Sequence, residues 1–351
     1  MLYILSGVVF FVAALLAAWF GYQYVKARPQ AREVASLAVA TVGEDKECAF
    51  RRLLDGVCVE SGEQTHGPVV GLMIENHFEA RPMSGIADAS VVYEAPVEGN
   101  IPRFLALYSL DSEVKKVGPV RSARPYYVDW LSEYGTAMYM HVGGSPEALN
   151  DIASYGLFDM NEFSRGWYFW RSDDRYAPHN TYTSNELWSK AWEQYAPDNA
   201  STTFATWKFE EQEPCDFSVT SSACIKEVAL TFSRGTYEPV WKYNTSTEQY
   251  ERYEYGEKYV DQSGTAVVAD TVVVQWVEAE VLDAIGRQRI STISSGKAAV
   301  FRDGSVFEGE WKKESRGGRT RWFDSDGNEI PLRPGKIWIE VMPIGAKGEW
   351  K

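Results

Sequence analysis

The pattern of short apolar runs changes midway along this chain of 351 residues, and this change most restricts the folds it can adopt. In the first half, strand-type runs alternate with helical patterns, which is typical of an α/β layer structure. From about residue 226 onward, short strand-type runs follow one another with few helical patterns between them. The sequence therefore predicts an α+β fold, with an α/β layered domain followed by an all-β C-terminal domain.

The predicted elements are bounded by clear local signals. Pro125 and Pro146 suit the first position of a helix, and Ser145 suits the capping position before it. Asp303-Gly304 separates two strands by the two residues of a type I′ hairpin. The predicted strands of the first half are 69–74, 90–95, 103–108 and 136–141, and its helices are 125–134, 146–155 and 184–195. The predicted strands of the second half are 228–233, 240–243, 249–255, 267–276, 298–302, 306–311, 320–323 and 337–341.

An uncharged, almost wholly apolar run occupies residues 2–25 and is long enough for a membrane-spanning helix. Trp19, Tyr22 and Tyr24 lie near its distal end, as interfacial aromatic residues do. A cleaved signal peptide is the nearest alternative, but the small-residue pattern at 38–40 lies far beyond the run. We therefore expect an N-terminal membrane helix that anchors the protein.

The expected parts of the chain follow one another in a simple order. They are a transmembrane anchor (1–27), a linker with the first cysteine pair (28–67), the α/β domain (68–200), a connection with the second cysteine pair (201–225) and the β-rich domain (226–345).

A net charge of −14 argues against nucleic acid as a partner, because nucleic-acid binding needs a basic surface.

The four cysteines form two pairs that are local in sequence: Cys48 with Cys58, and Cys215 with Cys224. Four cysteines allow three connectivities, of which local pairing is the simplest. Neither spacing matches a CxxC motif, although a zinc ion bound by four thiolates is an alternative. Local disulfides would suit an oxidising compartment.

The segment 117–125 carries Arg121 and Arg124 between Gly118-Pro119 and Pro125. These glycine and proline residues interrupt regular structure and place both arginines just before a helix. A helix N-terminus favours an anion, and the guanidinium fork matches a carboxylate or phosphate. The alternative is that both arginines pair with acidic residues of the protein itself.

Several polar residues are expected where strands meet loops, which is where open α/β sheets build binding sites. We expect three arginines to converge in one pocket, with Glu75 or Glu94 beside them and His141 at its rim. The candidate ligand-binding residues are Arg103, Arg121, Ser122, Arg124, His141, Ser145, His179 and Asn180.

Four residues are candidates for catalysis: Glu75, Glu94, His141 and His179. Two carboxylates can divide acid and base roles, as in glycosidases, although carboxylates beside arginines are often structural ion pairs. The histidine spacings fit no compact metal motif, so we expect no metal and no cofactor. Four successive aromatic residues at 167–170 cannot all face one core, and exposed rings there could stack on sugars.

Many short motifs, in order, resemble the YerB-like bacterial envelope lipoproteins, which carry the domain of unknown function 3048. Among them are Gly71-Leu-Met-Ile-Glu-Asn-His77, Tyr93-Glu-Ala-Pro-Val-Glu-Gly99, Ala177-Pro-His-Asn180 and Gly309-Glu-Trp311. The resemblance implies an N-terminal α/β domain and a C-terminal β domain outside the cytoplasmic membrane, and it implies no established activity. The chain departs from the family because no lipobox cysteine follows the apolar run, so a helix would replace the lipid anchor.

Two signals in the sequence predict opposite sides of the membrane for the globular part. Lys26, Arg28 and Arg32 follow the apolar run, which by the positive-inside rule alone would keep the bulk of the chain in the cytoplasm. The local cysteine pairs and the resemblance favour export, and we predict a single-pass protein of the cell membrane whose globular part is extracytoplasmic.

Three classes of function are open. The first is the binding of an anionic glycan or peptide of the cell wall through the arginines. The second is a hydrolase or lyase that acts on wall material, and the third is a structural interaction protein without a small ligand.

Overall fold

Strands dominate this computed structural model, which describes Trp19 and residues 48–219, 223–233 and 235–351. The strands are β1 (Val69–Glu75), β2 (Val91–Pro96), β3 (Pro102–Ser109), β4 (Met138–His141), β5 (Phe158–Asn161), β6 (Trp170–Arg171), β7 (Thr181–Tyr182), β8 (Glu227–Thr231), β9 (Pro239–Asn244), β10 (Gln249–Glu254), β11 (Glu257–Lys258), β12 (Val268–Ala269), β13 (Thr271–Val277), β14 (Ala279–Val281), β15 (Gln288–Ile290), β16 (Ser295–Arg302), β17 (Ser305–Lys312), β18 (Arg321–Phe323), β19 (Ile337–Pro343) and β20 (Lys347–Trp350). The α-helices are α1 (Pro125–Leu131), α2 (Pro146–Ser154), α3 (Glu162–Arg165) and α4 (Asn185–Tyr195). Short 3-10 helices span Gly62–His66, Phe78–Ala80, Ile86–Asp88, Glu98–Asn100, Ser132–Tyr134, Gly166–Tyr168 and Gly235–Tyr237.

The local signals in the sequence predict most of these elements. Pro125 and Pro146 occupy the first turns of α1 and α2, and the Ser145 hydroxyl accepts a hydrogen bond from the Ala148 N–H at 3.2 Å. Asp303 and Gly304 both have positive φ, as the predicted type I′ turn requires. The predicted strand 267–276 is divided into β12 and β13. The short strand β5 is not predicted, because only two of its four residues are apolar.

Strands from both halves of the sequence pair in one ten-stranded sheet, in the order β18-β17-β16-β13-β19-β2-β3-β1-β4-β5. Strands β13, β19 and β2 run parallel to one another, as do β1, β4 and β5, and the other neighbours are antiparallel. A second sheet, all antiparallel, contains β11-β10-β9-β8-β20, with β12 paired to β10. The described chain is thus a mixed α+β fold whose C-terminal part is almost wholly β.

Both faces of the large sheet are covered, and each carries its own hydrophobic core. On one face, Trp241 and Tyr250 from the second sheet belong to the same hydrophobic core as Trp188 of α4. On the other face, Tyr127 and Trp130 of α1 belong to the core. Charged side chains on the inner strands are therefore either buried or confined to strand ends, and the candidate site lies at such an end.

The segment that precedes α1 runs across the end of β1 in an extended conformation. Val120 forms a bridge with Ile74, and Val117 and Ala123 form bridges with Thr183 and Gly144 respectively. These backbone contacts fix the segment on three sides. The arginines that it carries are consequently held at the same end of the sheet as the last residue of β1.

Both local disulfides are present, which confirms the predicted pairing of Cys48 with Cys58 and of Cys215 with Cys224. The four sulfurs are therefore not available to a zinc ion. The described residues of the predicted linker, which begin at Cys48, belong to the compact unit Cys48–Lys351, and Leu54 is buried in its core.

The predicted membrane anchor at 1–27 lies outside the described residues, apart from Trp19. Among the residues that the structure does describe, no helix combines the length and hydropathy of a membrane span. The single-pass anchor therefore stays a prediction.

Candidate anion-binding site

A cavity of about 160 Å³ lies where β1 ends and β3 begins, at the same end of the large sheet. Its lining comes from the end of β1, the turn between β2 and β3, the start of β3 and the extended segment before α1. The lining residues are Glu75, Asn76, His77, Val97, Glu98, Ile101, Pro102, Arg103 and Arg121. The fold thus brings Arg103 and Arg121 together with Glu75, as the sequence predicts.

Arg103 is the buried cation of this cavity and is only 6% exposed. Its Nη1 donates a hydrogen bond to the backbone carbonyl of Ser122 at 2.7 Å. Within residues 48–219, 223–233 and 235–351 its guanidinium forms no ion pair. Burial, followed by the positive charges of Arg124 and Arg121, lowers the pKa of Arg103 to about 10. The surroundings therefore destabilise the charged form of Arg103, and an added anion would stabilise that form.

The two neighbouring arginines already have carboxylate partners. Arg121 Nε lies 3.0 Å from Glu75 Oε1. Arg124 makes a bidentate pair with Glu98, with hydrogen bonds of 2.6 and 2.8 Å. Burial alone would raise the pKa of Glu98, but the hydrogen bond and charge of Arg124 bring it below its ordinary value. The alternative that the arginines pair with acidic residues of the protein itself thus describes Arg121 and Arg124 but not Arg103.

His179 extends the polar group from Glu75 toward the rim. Its Nδ1 lies 2.8 Å from Glu75 Oε2, and its Nε2 lies 3.3 Å from Glu79 Oε2. The His179 ring also stacks on the ring of His77, with 5.1 Å between centroids. Two of the four catalytic candidates, Glu75 and His179, are therefore in direct contact beside the cavity.

Glu94 does not belong to this cavity, because the register of the sheet places it on the opposite face from Glu75. On β3, Arg103 pairs with Glu75, whereas Phe104 pairs with Glu94. Neighbouring residues of a strand point to opposite faces. The hypothesis of a Glu75 and Glu94 acid–base pair is consequently wrong.

The surroundings of Glu94 are fully enclosed. Its Oε2 lies 2.9 Å from Arg252 Nη1 and accepts a hydrogen bond from Trp338 Nε1 at 3.0 Å. Burial raises the pKa of Glu94 well above its ordinary value, against the charge of Arg252 and with the help of Glu340 and Glu254. Glu94 is therefore part of a buried ionic cluster that has no access to a substrate.

The remaining predicted site residues have structural roles elsewhere. His141 is fully buried, and its ring nitrogens lie 2.7 Å from the Gly143 carbonyl and 2.8 Å from Asp159 Oδ1, so it is not at the rim. Ser145 caps α2. Asn180 donates to the backbone carbonyl of Ser172.

The aromatic segment is divided between core and solvent, as expected from its sequence. Tyr168 and Phe169 are buried, whereas Trp167 is 62% exposed. A larger cavity of about 480 Å³ lies beside Trp276 and Trp350. Its charged side chains are exposed, so it lacks the buried charge that distinguishes the cavity at Arg103.

Two acidic residues near the cavity are not among the candidates chosen from the sequence. Glu98 neutralises Arg124 from the turn between β2 and β3, and Glu79 faces His179 from a 3-10 helix. The Glu98 carboxylate follows a strand end in the same way as Glu75 does. The short spacing of His77 and Glu79 was the available signal for the second residue.

Comparison with known proteins assigns the family. A family described as "Protein of unknown function (DUF3048) N-terminal domain" matches residues 54–198, and its "C-terminal domain" matches residues 228–339. The chain is 33% identical over 282 residues to a Bacillus subtilis (strain 168) protein named "Putative lipoprotein YerB", covering 78% of this chain and 81% of that protein. It is also similar to the crystal structure of YerB protein from Bacillus subtilis, with a TM-score of 0.73, 30% identity and coverage of 86% of this chain and 99% of the other. This chain therefore belongs to the DUF3048 family of YerB-like proteins.

Proposed function

We propose that this protein is an extracytoplasmic protein of the bacterial cell envelope that binds an anionic group of a wall glycan or peptide at Arg103 and Arg121. The observation that carries the proposal is the buried Arg103 guanidinium, which lines a cavity and, among the residues that the structure describes, has only a backbone carbonyl as a hydrogen-bond partner. A buried cation without a counter-ion is costly, so a site that retains one is suited to an anion from outside.

The balance of charge around the cavity supports this proposal. Three arginines lie close together, but Glu75 is paired with Arg121 and Glu98 with Arg124. Both nearby carboxylates are therefore engaged, and one positive charge is left over at Arg103. A carboxylate or phosphate can accept hydrogen bonds from the guanidinium of Arg103, and no side chain that lines the cavity does so.

The volume of the cavity limits the size of the group that can bind in it. Sites for whole small molecules usually measure about 300–1,000 Å³, whereas this cavity measures about 160 Å³. It suits a single acidic group, while the remainder of a glycan or peptide would lie outside on the surface. The exposed Trp167 provides one flat surface on which a sugar can stack, although it does not line the cavity.

The proposed location rests on the relative and on the sequence. The similar Bacillus subtilis protein carries the name "Putative lipoprotein YerB", and two disulfides suit an oxidising compartment. We propose that residues 2–25 anchor this chain as a single-pass helix in place of a lipid.

Cosedimentation with purified cell-wall material tests the binding proposal. A hydrogen bond to a charged group contributes about 1.5–3 kcal/mol, so we expect Arg121→Ala to weaken binding at least about tenfold. Arg124→Lys should weaken it less, because Arg124 does not line the cavity and lysine keeps the positive charge. Arg289→Ala is the matched control, since Arg289 is an exposed arginine that pairs with Glu280. Equal binding by Arg121→Ala and the control would contradict the proposal.

A hydrolase or lyase is the second candidate, and it rests on the contact between Glu75 and His179 beside the cavity. Such a pair can transfer a proton to or from a bound group. Release of soluble fragments from wall material by the wild type, lost in His179→Ala, would favour this candidate. Binding without release would favour a binding module.

A further inference from the structure

We propose that His77, Glu79 and His179 form a binding site for a divalent transition-metal ion of the Zn²⁺ type at the rim of the cavity. The inference goes beyond the proposed function and does not depend on it. Two imidazoles and one carboxylate are a donor set that zinc accepts, and three protein ligands leave one position open. His77 comes just after β1, Glu79 lies in the 3-10 helix Phe78–Ala80, and His179 comes from the loop before β7.

The distances between the donor atoms fit one ion. Glu79 Oε2 lies 3.3 Å from His179 Nε2 and 3.6 Å from His77 Nδ1, and all three donors lie within 4.8 Å of one another. Bonds from zinc to nitrogen and oxygen of about 2.0–2.2 Å place tetrahedral ligands about 3.3–3.6 Å apart. Two of the three separations therefore already have the values that a bound ion requires.

One nitrogen of each histidine faces the Glu79 carboxylate. His179 Nδ1 lies 2.8 Å from Glu75 Oε2, so Nε2 is the His179 nitrogen on the side of Glu79. His77 Nδ1 accepts a long hydrogen bond of 3.3 Å from the Glu79 N–H, and a bound metal ion would replace this hydrogen bond.

Glu75 would support the metal from behind. Metal-bound histidines usually donate their other ring N–H to a carboxylate, which fixes the ring and strengthens the ligand. Glu75 has this position relative to His179, and Arg121 holds the Glu75 carboxylate at 3.0 Å. His77 is held in turn by stacking on His179 and by a tilted ring contact with Phe78. The site therefore has both its ligands and their supports in place.

The test is a Zn²⁺ and Co²⁺ titration of the metal-stripped full chain, with no wall material present. We expect one equivalent of Zn²⁺ by calorimetry and the visible absorption of tetrahedral Co²⁺. His77→Ala and His179→Ala should abolish both signals, whereas His66→Ala should retain them because His66 is an exposed histidine outside the cluster. Glu75→Gln should weaken binding about 10- to 100-fold through the supporting carboxylate.

The outcomes separate this proposal from its alternatives. Equal Zn²⁺ affinity in His66→Ala, His77→Ala and His179→Ala would place any bound ion elsewhere and overturn the proposal. Absence of Zn²⁺ binding by the wild type would also overturn the proposal. Glu79→Gln is the additional variant if a histidine variant fails to fold, since Glu79 is exposed. Anion binding by the Arg103 cavity can succeed or fail independently of all these results.

Discussion

Two buried arginines, Arg252 and Arg103, illustrate how the same residue type serves two different ends in one sheet. Arg252 is surrounded by three carboxylates, those of Glu94, Glu254 and Glu340, at 2.6–3.0 Å. Arg103, which is nearly as buried, donates to a backbone carbonyl and contacts no carboxylate in the described part of the chain. In the first cluster the protein itself supplies the counter-charges, whereas in the second the described residues place no carboxylate in contact with the guanidinium.

The pKa values of the two arginines express this difference. Burial lowers the pKa of both, because it penalises the charged form. Around Arg252, the negative charges of the three glutamates overcome burial and raise its pKa. Around Arg103, the charges of Arg124 and Arg121 add to burial and lower the pKa to about 10. The sign of the dominant neighbouring charges therefore distinguishes the two buried arginines, in the direction that the proposed anion site requires.

The largest effect is expected from breaking the closed cluster. Arg252→Met leaves several carboxylates buried without a cation, and we expect the free energy of unfolding to fall by about 3–5 kcal/mol. Arg103→Met removes a charge that its surroundings disfavour, so we expect a change below about 1.5 kcal/mol. Urea denaturation of both variants measures the contrast. Equal losses of stability would show that the two clusters do not differ as described.

An intermediate effect is expected from Glu98→Gln, which removes the carboxylate that offsets Arg124. Loss of this half-buried bidentate pair should lower the free energy of unfolding by about 1–2 kcal/mol. The same change leaves more positive charge at the cavity, so phosphate should raise the melting temperature more than it does in the wild type. Glu280→Gln, which affects an exposed pair, is the control. An unchanged or smaller phosphate effect would weaken the electrostatic account of the cavity.

The smallest effect near pH 5 is expected from Glu340→Gln, which makes one acid of the closed cluster permanently neutral. Burial raises the pKa of Glu340 above its ordinary value of 4.5, against the charge of Arg252. The folded state therefore keeps a proton that the unfolded chain loses. This contribution to stability is complete below about pH 4.5 and is lost as the pH rises through the folded pKa.

Thermal melts from pH 4.5 to pH 8 test this sign. The stability of Glu340→Gln relative to the wild type should increase as the pH rises, because the amide needs no proton. Glu257→Gln is the control, since Glu257 is exposed on β11. Parallel pH dependences for the wild type and Glu340→Gln would contradict the raised pKa.

The features that depend on local chemistry were predictable from the sequence. Pro125 and Ser145 mark the starts of α1 and α2, and Asp303-Gly304 marks the turn between β16 and β17. The disulfides join cysteines only 10 and 9 residues apart. In each case the residues that decide the structure are neighbours in the chain, so no knowledge of the tertiary fold is needed.

The roles of the charged residues required the register and the pairing of distant segments. Glu75 and Glu94 both belong to predicted strands, but which faces they occupy follows only from their pairing with β3. Arg252 reaches Glu94 across 158 positions of the sequence, from a different sheet. The prediction of converging arginines was correct for Arg103 and Arg121. Both lie at the end of the sheet where strand ends meet the segment before α1.

A crystal soaked in selenate tests the central claim most directly, because anomalous scattering locates the selenium atom in the cavity. The account predicts a selenate ion whose oxygens lie about 3 Å from guanidinium nitrogens of Arg103 and Arg121. Crystals of Arg103→Met soaked in the same way should lack it. A wild-type cavity that holds only water, in a crystal where selenate occupies other basic sites, would contradict the claim that Arg103 is left for an anion.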